Sequence, residues 1–100
     1  MYVLIWEYEV RPECIEAFVA GYGPGGAWAR FFRGGEGYLG TDLLRDADCA
    51  ERFATIDRWL SAGHYDRFRA ANGERYREID RAFETLMQRE TAVGSFERVA

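Results

Sequence analysis

The strand-like stretches of this chain carry apolar side chains on both of their faces. In Tyr2 to Val10, Leu4, Trp6 and Tyr8 alternate with Val3, Ile5, Glu7 and Glu9; in Arg52 to Trp59, Phe53 and Trp59 alternate with Ala54 and Ile56. Side chains of a strand point to opposite sides of the sheet, so both sides need cover. The 100 residues suffice for one domain with one layer of helices, which leaves one sheet face without a partner from its own chain. The pattern therefore predicts a homodimer in which two sheets pack face to face.

The rest of the chain fixes the order of elements. Arg11-Pro12-Glu13 reads as a helix entrance, since proline tolerates the first helical position and an acidic residue favours the positive end of the helix. Ile15, Phe18, Val19 and Tyr22 then form an apolar stripe at helical spacing. Gly21-Tyr22-Gly23-Pro24-Gly25-Gly26 interrupts that helix as a bend or pocket lid, and Ala27 to Phe32 resumes a helical turn with Trp28, Phe31 and Phe32. Strands are predicted at Tyr38 to Arg45 and Arg52 to Trp59, joined through a turn at Asp46-Ala47-Asp48. Ser61 caps a short helix bearing Tyr65 and Phe68, which Asn72-Gly73 ends. Tyr76, Ile79, Phe83 and Leu86 mark a longer amphipathic helix, and Thr91 to Val99 closes as a strand. The order β, α, β, β, α, β defines an α+β, ferredoxin-like fold with one antiparallel sheet, as a single domain over residues 1–100.

Composition narrows the chemistry. The net charge is −4 and the sequence pI about 5.0, with no basic footprint for nucleic acid or an anionic membrane. All 13 basic residues are arginine; without lysine there is no Schiff base and no P-loop lysine. The glycine-rich GYGPGGAW also lacks the spacing of a phosphate cradle, and the arginines between Arg67 and Arg81 alternate with acids as on a solvated helix face. Cys14 and Cys49 belong to no C-x-x-C and are expected as reduced thiols. One histidine and two dispersed thiols give no metal-ligand spacing, so no metal is expected. The opening MYVLIWEYEV has neither a basic leader nor a long apolar run, and a cytoplasmic location is expected.

The combination of IWEYEVRPE, WARFF, GYLGTDLLRD, TIDRWLSAGHYDRF and VGSFE resembles the antibiotic biosynthesis monooxygenase family of dimeric α/β barrels. The resemblance spans nearly the whole chain. It implies a pocket between sheet and helices on the Trp59 side and, in one branch of the family, cofactor-independent oxygenation of phenolic, polycyclic aromatic compounds. The haem-degrading branch uses an Asn on the first strand, a Trp at the end of the third and a His in the following helix. Here Trp59 matches the Trp, while Trp6 stands at the Asn position and Arg69 at the His position.

Two residues are candidates for catalysis. Asp57 shares its strand parity with Phe53, Thr55 and Trp59, and a carboxylate among aromatic rings becomes a better base near neutral pH; pairing with an arginine or helix capping would be its structural alternative. His64, the only histidine, could exchange a proton with a phenol or simply be a solvated helix-start residue. Trp6, Tyr8, Trp28, Phe32, Trp59, Tyr65 and Phe68 are candidates for a substrate-stacking wall or for core. The functional expectation is a cofactor-independent monooxygenase acting on a small aromatic ligand, Tyr8 or Tyr65 positioning its oxygen atoms. The alternatives are a non-catalytic dimeric binding protein for a hydrophobic metabolite and a haem-degrading enzyme.

Overall fold

The computed structural model describes residues 1–100. Along the chain lie β1 (Tyr2–Val10), α1 (Ile15–Tyr22), α2 (Ala27–Phe32), β2 (Tyr38–Arg45), β3 (Arg52–Trp59), α3 (Ala62–Ala71), α4 (Gly73–Phe83) and β4 (Met87–Glu97). The four strands form one antiparallel sheet in the order β2-β3-β1-β4, the ferredoxin-like α+β arrangement that the sequence order predicts. No helix is long and apolar enough to cross a membrane.

Local chemistry explains most boundaries. Ser61 Oγ accepts the backbone N–H of His64 at 3.2 Å and caps α3. Asp46 Oδ1 accepts the backbone N–H groups of Asp48 (2.8 Å) and Cys49 (3.1 Å), closing the β2–β3 turn as an Asx turn. Two boundaries differ from expectation. The last strand begins at Met87 rather than Thr91 and ends at Glu97 rather than Val99. As an edge strand it pairs with β1 alone, so its polar start Gln88-Arg89-Glu90 gives no apolar alternation to read. The helix expected to run to Leu86 ends at Phe83, and Glu84–Leu86 form a 3₁₀ turn. That turn is anchored by Arg11, whose backbone N–H and Nε donate to the carbonyls of Leu86 and Thr85.

The helices cover one sheet face with an aromatic core. Trp59, Phe18 and Val10 are its largest fully buried side chains, Phe18 stacks on Tyr22 with ring centroids 4.3 Å apart, and Ile79 brings in α4. The opposite face carries Val3, Ile5, Ala54 and Ile56, flanked by Leu44 and Phe96, each about half exposed (48% and 49%). Two ion pairs, Arg52–Glu7 and Arg58–Asp42, both at 2.7 Å, cross that face.

Three register shifts interrupt the sheet; besides one at Gln88 near the start of β4, two bulges next to glycines re-aim side chains. In β2 the register passes from Tyr38↔Trp59 to Gly40↔Arg58, so Leu39 is the extra residue and both Tyr38 and Thr41 face the helices. In β4 it passes from Gly94↔Ile5 to Ala92↔Trp6, so Val93 is extra and Glu90 comes to the helix-facing side beside Tyr8. Each bulge adjoins a glycine with positive φ, Gly40 at 133° and Gly94 at 150°, a backbone region that other residues rarely occupy.

Candidate functional site

Strand parity collects the polar groups of the site. Leu4↔Asp57, Trp6↔Thr55 and Thr41↔Asp57 are cross-strand neighbours, so Trp6, Thr41, Thr55 and Asp57 share the helix-facing side of three adjacent strands. Together with Tyr8 and Glu90 they form the floor of a cavity roofed by Tyr22, Trp28, Phe32 and Tyr76 from the helical layer. The space is narrow: about 30 Å³ is free to the centres of water-sized occupants, enough for one or two waters.

Asp57 is the electrostatic centre of the cavity. Burial pushes its carboxyl from 3.8 up to about 6, against the opposing influence of the Thr41 hydrogen bond and the Arg58 charge. Thr41 Oγ1 donates to Asp57 Oδ1 at 2.6 Å and, having spent its only proton, accepts from Tyr38 Oη. Tyr38 and Thr41 also line a separate surface hollow with Arg33, Pro24 and Gly40. A continuous hydrogen-bonded chain thus joins the cavity carboxylate to the outside, and the Leu39 bulge makes it possible by placing Tyr38 and Thr41 on one face.

The other polar groups are distinct in kind. Tyr8 Oη and Thr55 Oγ1 hydrogen-bond each other at 2.8 Å, and burial raises the Tyr8 pKa well above the ordinary phenol value. Glu90 lies exposed at the rim, its carboxyl raised by partial burial and by the charge of Asp80. Behind the roof, the Arg69 guanidinium lies 3.6 Å from the centre of the Tyr76 ring and donates to Tyr65 Oη at 2.8 Å.

The structure brings Asp57 together with Trp6, Tyr8, Trp28 and Phe32 around one cavity. It places the other candidates elsewhere. Trp59 is fully buried in the core against Phe32, Tyr38, Tyr65 and Phe68, and Phe68 is buried beside it. Tyr65 packs against Tyr2 and Trp59 outside the cavity lining. His64 lies at the start of α3, its Nδ1 2.7 Å from Ser61 Oγ and its ring against Gly37, and does not line the cavity. Sequence reasoning missed Tyr22, Thr41, Thr55, Tyr76 and Glu90 as lining residues. Parity already put Thr55 beside Asp57, and the lone strand glycines Gly40 and Gly94 signalled the bulges that deliver Thr41 and Glu90.

No group of three or more His, Cys, Asp or Glu residues is arranged to hold a metal ion, and both cysteines are free. No histidine lines the cavity, so the residues there offer no imidazole to a haem iron.

No curated protein matches the chain. Among solved structures, it is similar to SnoaB, a cofactor-independent oxygenase from Streptomyces nogalater, with 20% identity, 99% of this chain and 93% of that one covered, and a TM-score of 0.71. A conserved protein from Methanosarcina mazei Go1 is similar over 98% of this chain and 92% of its own at 14% identity and a TM-score of 0.73. PA3566 from Pseudomonas aeruginosa matches over 99% and 94% at 23% identity and a TM-score of 0.63. Likeness at these identities concerns the fold. The family model for antibiotic biosynthesis monooxygenases matches residues 1–78. With most of the chain matched and its fold shared, the protein belongs to the antibiotic biosynthesis monooxygenase family.

Proposed function

We propose that the protein is a cofactor-independent monooxygenase that takes a small phenolic aromatic compound between its sheet and its helices. The observation that carries this reading is the desolvated Asp57, with a pKa of about 6, in a cavity walled by Trp6, Tyr8, Trp28 and Phe32. A base with that pKa is largely ionised at neutral pH yet holds a proton more firmly than a solvated aspartate. Asp57 accepts the phenolic proton while the aromatic walls hold the ring and exclude bulk water. The deprotonated ring is electron-rich enough to pass an electron to dioxygen, so the oxidisable centre is the substrate itself. The proton leaves Asp57 along Thr41 and Tyr38 once the two hydroxyls, which both donate inward toward the carboxylate, rotate to donate outward. His64 has no part in this scheme because of its position outside the cavity lining.

The apolar outer face supports association with a second copy through the sheets, since Leu44, Phe96, Val3, Ile5 and Ile56 form a surface that one subunit leaves uncovered. Trp6, a bulky apolar side chain on the cavity floor where the resemblance expects a polar one, favours a second reading, a binding protein for a flat hydrophobic metabolite that it does not alter. Tryptophan-fluorescence titration and an oxygen electrode, with a panel of hydroxylated naphthalenes, separate the two. The enzyme reading expects quenching and oxygen consumption by the same compounds; quenching without consumption overturns it.

A further inference from the structure

Thr41 is the one side chain that lines both the aromatic cavity around Asp57 and the surface hollow outside it. The outer hollow is the roomier, with about 380 Å³ free to the centres of water-sized occupants. Pro24, Leu39 and Gly40 wall it, and its polar side chains are the Tyr38 and Thr41 hydroxyls and the Arg33 guanidinium. Arg33 is held there by one hydrogen bond, from Nη2 to the Pro24 carbonyl at 2.8 Å, and no carboxylate pairs with it. Burial raises the Tyr38 pKa and the Arg33 charge acts the other way, so the guanidinium stands close to the phenol oxygen. A guanidinium with unused donors binds planar oxyanions well, because two parallel N–H groups match two oxygens.

The hydrogen bonds between the two hollows run one way. Tyr38 donates to Thr41 and Thr41 donates to Asp57 Oδ1, so both hydroxyl protons point toward an ionised carboxylate. Each hydroxyl has a single proton, and the chain can turn round only as a unit. Asp57 must then hold a proton to give to Thr41, and Tyr38 must find an acceptor in the outer hollow. An anion on Arg33 is such an acceptor. The other groups around Asp57 do not take its place. Tyr8 of β1 and Tyr65 of α3 are phenols whose pKa burial raises, Glu90 of β4 is a second acid in the cavity, and Arg58 of β3 favours the ionised carboxylate.

We propose that the outer hollow binds a small planar oxyanion of the carboxylate type on Arg33 and Tyr38, and that its binding reverses the hydrogen-bonded chain and favours protonated Asp57. Linkage is reciprocal, so a proton on Asp57 strengthens anion binding by the same factor. The coupling holds whichever compound the aromatic cavity takes. Its consequence for activity rests on the function proposed above: a protein with the anion bound has lost its base, and the hollow is an inhibitory site.

Nitrate is the probe, because it is planar and stays ionised over the whole range in which Asp57 titrates. Carbon-13 NMR of the Asp57 carboxyl in the full chain gives its midpoint with and without saturating nitrate, and the Arg33 Nε–H signal reports binding. Nitrate should raise the wild-type midpoint by about one pH unit and bind about tenfold more tightly when Asp57 is protonated. Tyr38→Phe keeps Arg33 but lacks the reversible donor, so it should bind nitrate while its midpoint moves by less than about 0.3 unit. Arg33→Gln, which keeps a donor for the Pro24 carbonyl, should show no shift and controls for general screening by salt. An Arg33 signal indifferent to nitrate would refute the site. Binding that leaves the wild-type midpoint in place would refute the coupling, and a shift that Tyr38→Phe retains in full would refute the reversal of the chain. No phenol or oxygen enters these titrations, so their failure is distinct from a failure of the proposed oxygenase activity.

Discussion

Replacing Asp57 with asparagine should stabilise the folded protein at neutral pH, although it removes a hydrogen-bonded carboxylate. Folded Asp57 binds its proton more tightly than the unfolded chain does, because burial lifts its pKa from 3.8 to about 6. Below the lower value both states are protonated and the group is neutral toward stability. As pH rises to the upper value, the unfolded chain ionises first, and the wild type loses stability until the folded carboxyl has ionised too. At about 1.4 kcal/mol for each tenfold change in proton affinity, the loss approaches ~3 kcal/mol above pH 7. Asparagine is uncharged throughout, and its carbonyl can still accept the Thr41 hydroxyl. The stability difference between Asp57→Asn and wild type should therefore be smallest near pH 4, move in favour of the variant through pH 6 and level off. Urea titrations at half-unit steps from pH 4 to 8, at one protein concentration because association would shift the midpoint, measure it. A difference that stays flat over this range, or that turns against the variant as pH rises, would refute the claim that Asp57 is held desolvated in the cavity.

Thr41→Val removes the hydroxyl that favours the ionised form of Asp57, so the carboxyl midpoint should rise above about 6 in a carbon-13 NMR titration; an unmoved midpoint would contradict the assigned hydrogen bond. At Gly40 nothing lies within 4 Å of an added Cβ and φ is 133°, so Gly40→Ala isolates the backbone cost of the bulge, expected at about 1–3 kcal/mol by chemical denaturation. A loss below about 0.3 kcal/mol would show that the bulge does not require glycine. Ile56→Asp places a charge on the outer sheet face, and sedimentation at micromolar concentration should show dimers for wild type and monomers for the variant. A wild-type monomer would remove the basis for pairing through the sheets.

The elements were legible because their signatures differ: β1 is a short run dense in β-branched and aromatic residues, and Tyr76, Ile79 and Phe83 repeat at helical spacing. The edge strand was less so, since Gln88-Arg89-Glu90 answers to one neighbour and to solvent. Parity sufficed to put Asp57 with Thr55 and Trp6 on one face. It failed for Trp59, which shares the parity but lies at the end of β3, where Phe32, Tyr38, Tyr65 and Phe68 close over it. Position along a strand decides between wall and core, and alternation alone contains no such information. Nor could alternation deliver Thr41 or Glu90, because each depends on one inserted residue that reverses the parity of what lies beyond it. Tyr22 and Trp28 come together only through the fold of the bend, and His64, attractive as the lone imidazole, was drawn away by its cap at Ser61.

The most direct test of Asp57 as the base toward a bound phenol is oxygen uptake measured against pH, for wild type and Asp57→Asn, with the hydroxylated aromatic compound that binds best. The wild-type kcat/KM should rise through an acid limb near pH 6, and the variant should bind the compound but consume oxygen about 10²- to 10⁴-fold more slowly, the contribution expected of a general base. Equal oxygen consumption by the two proteins across that range would contradict the account.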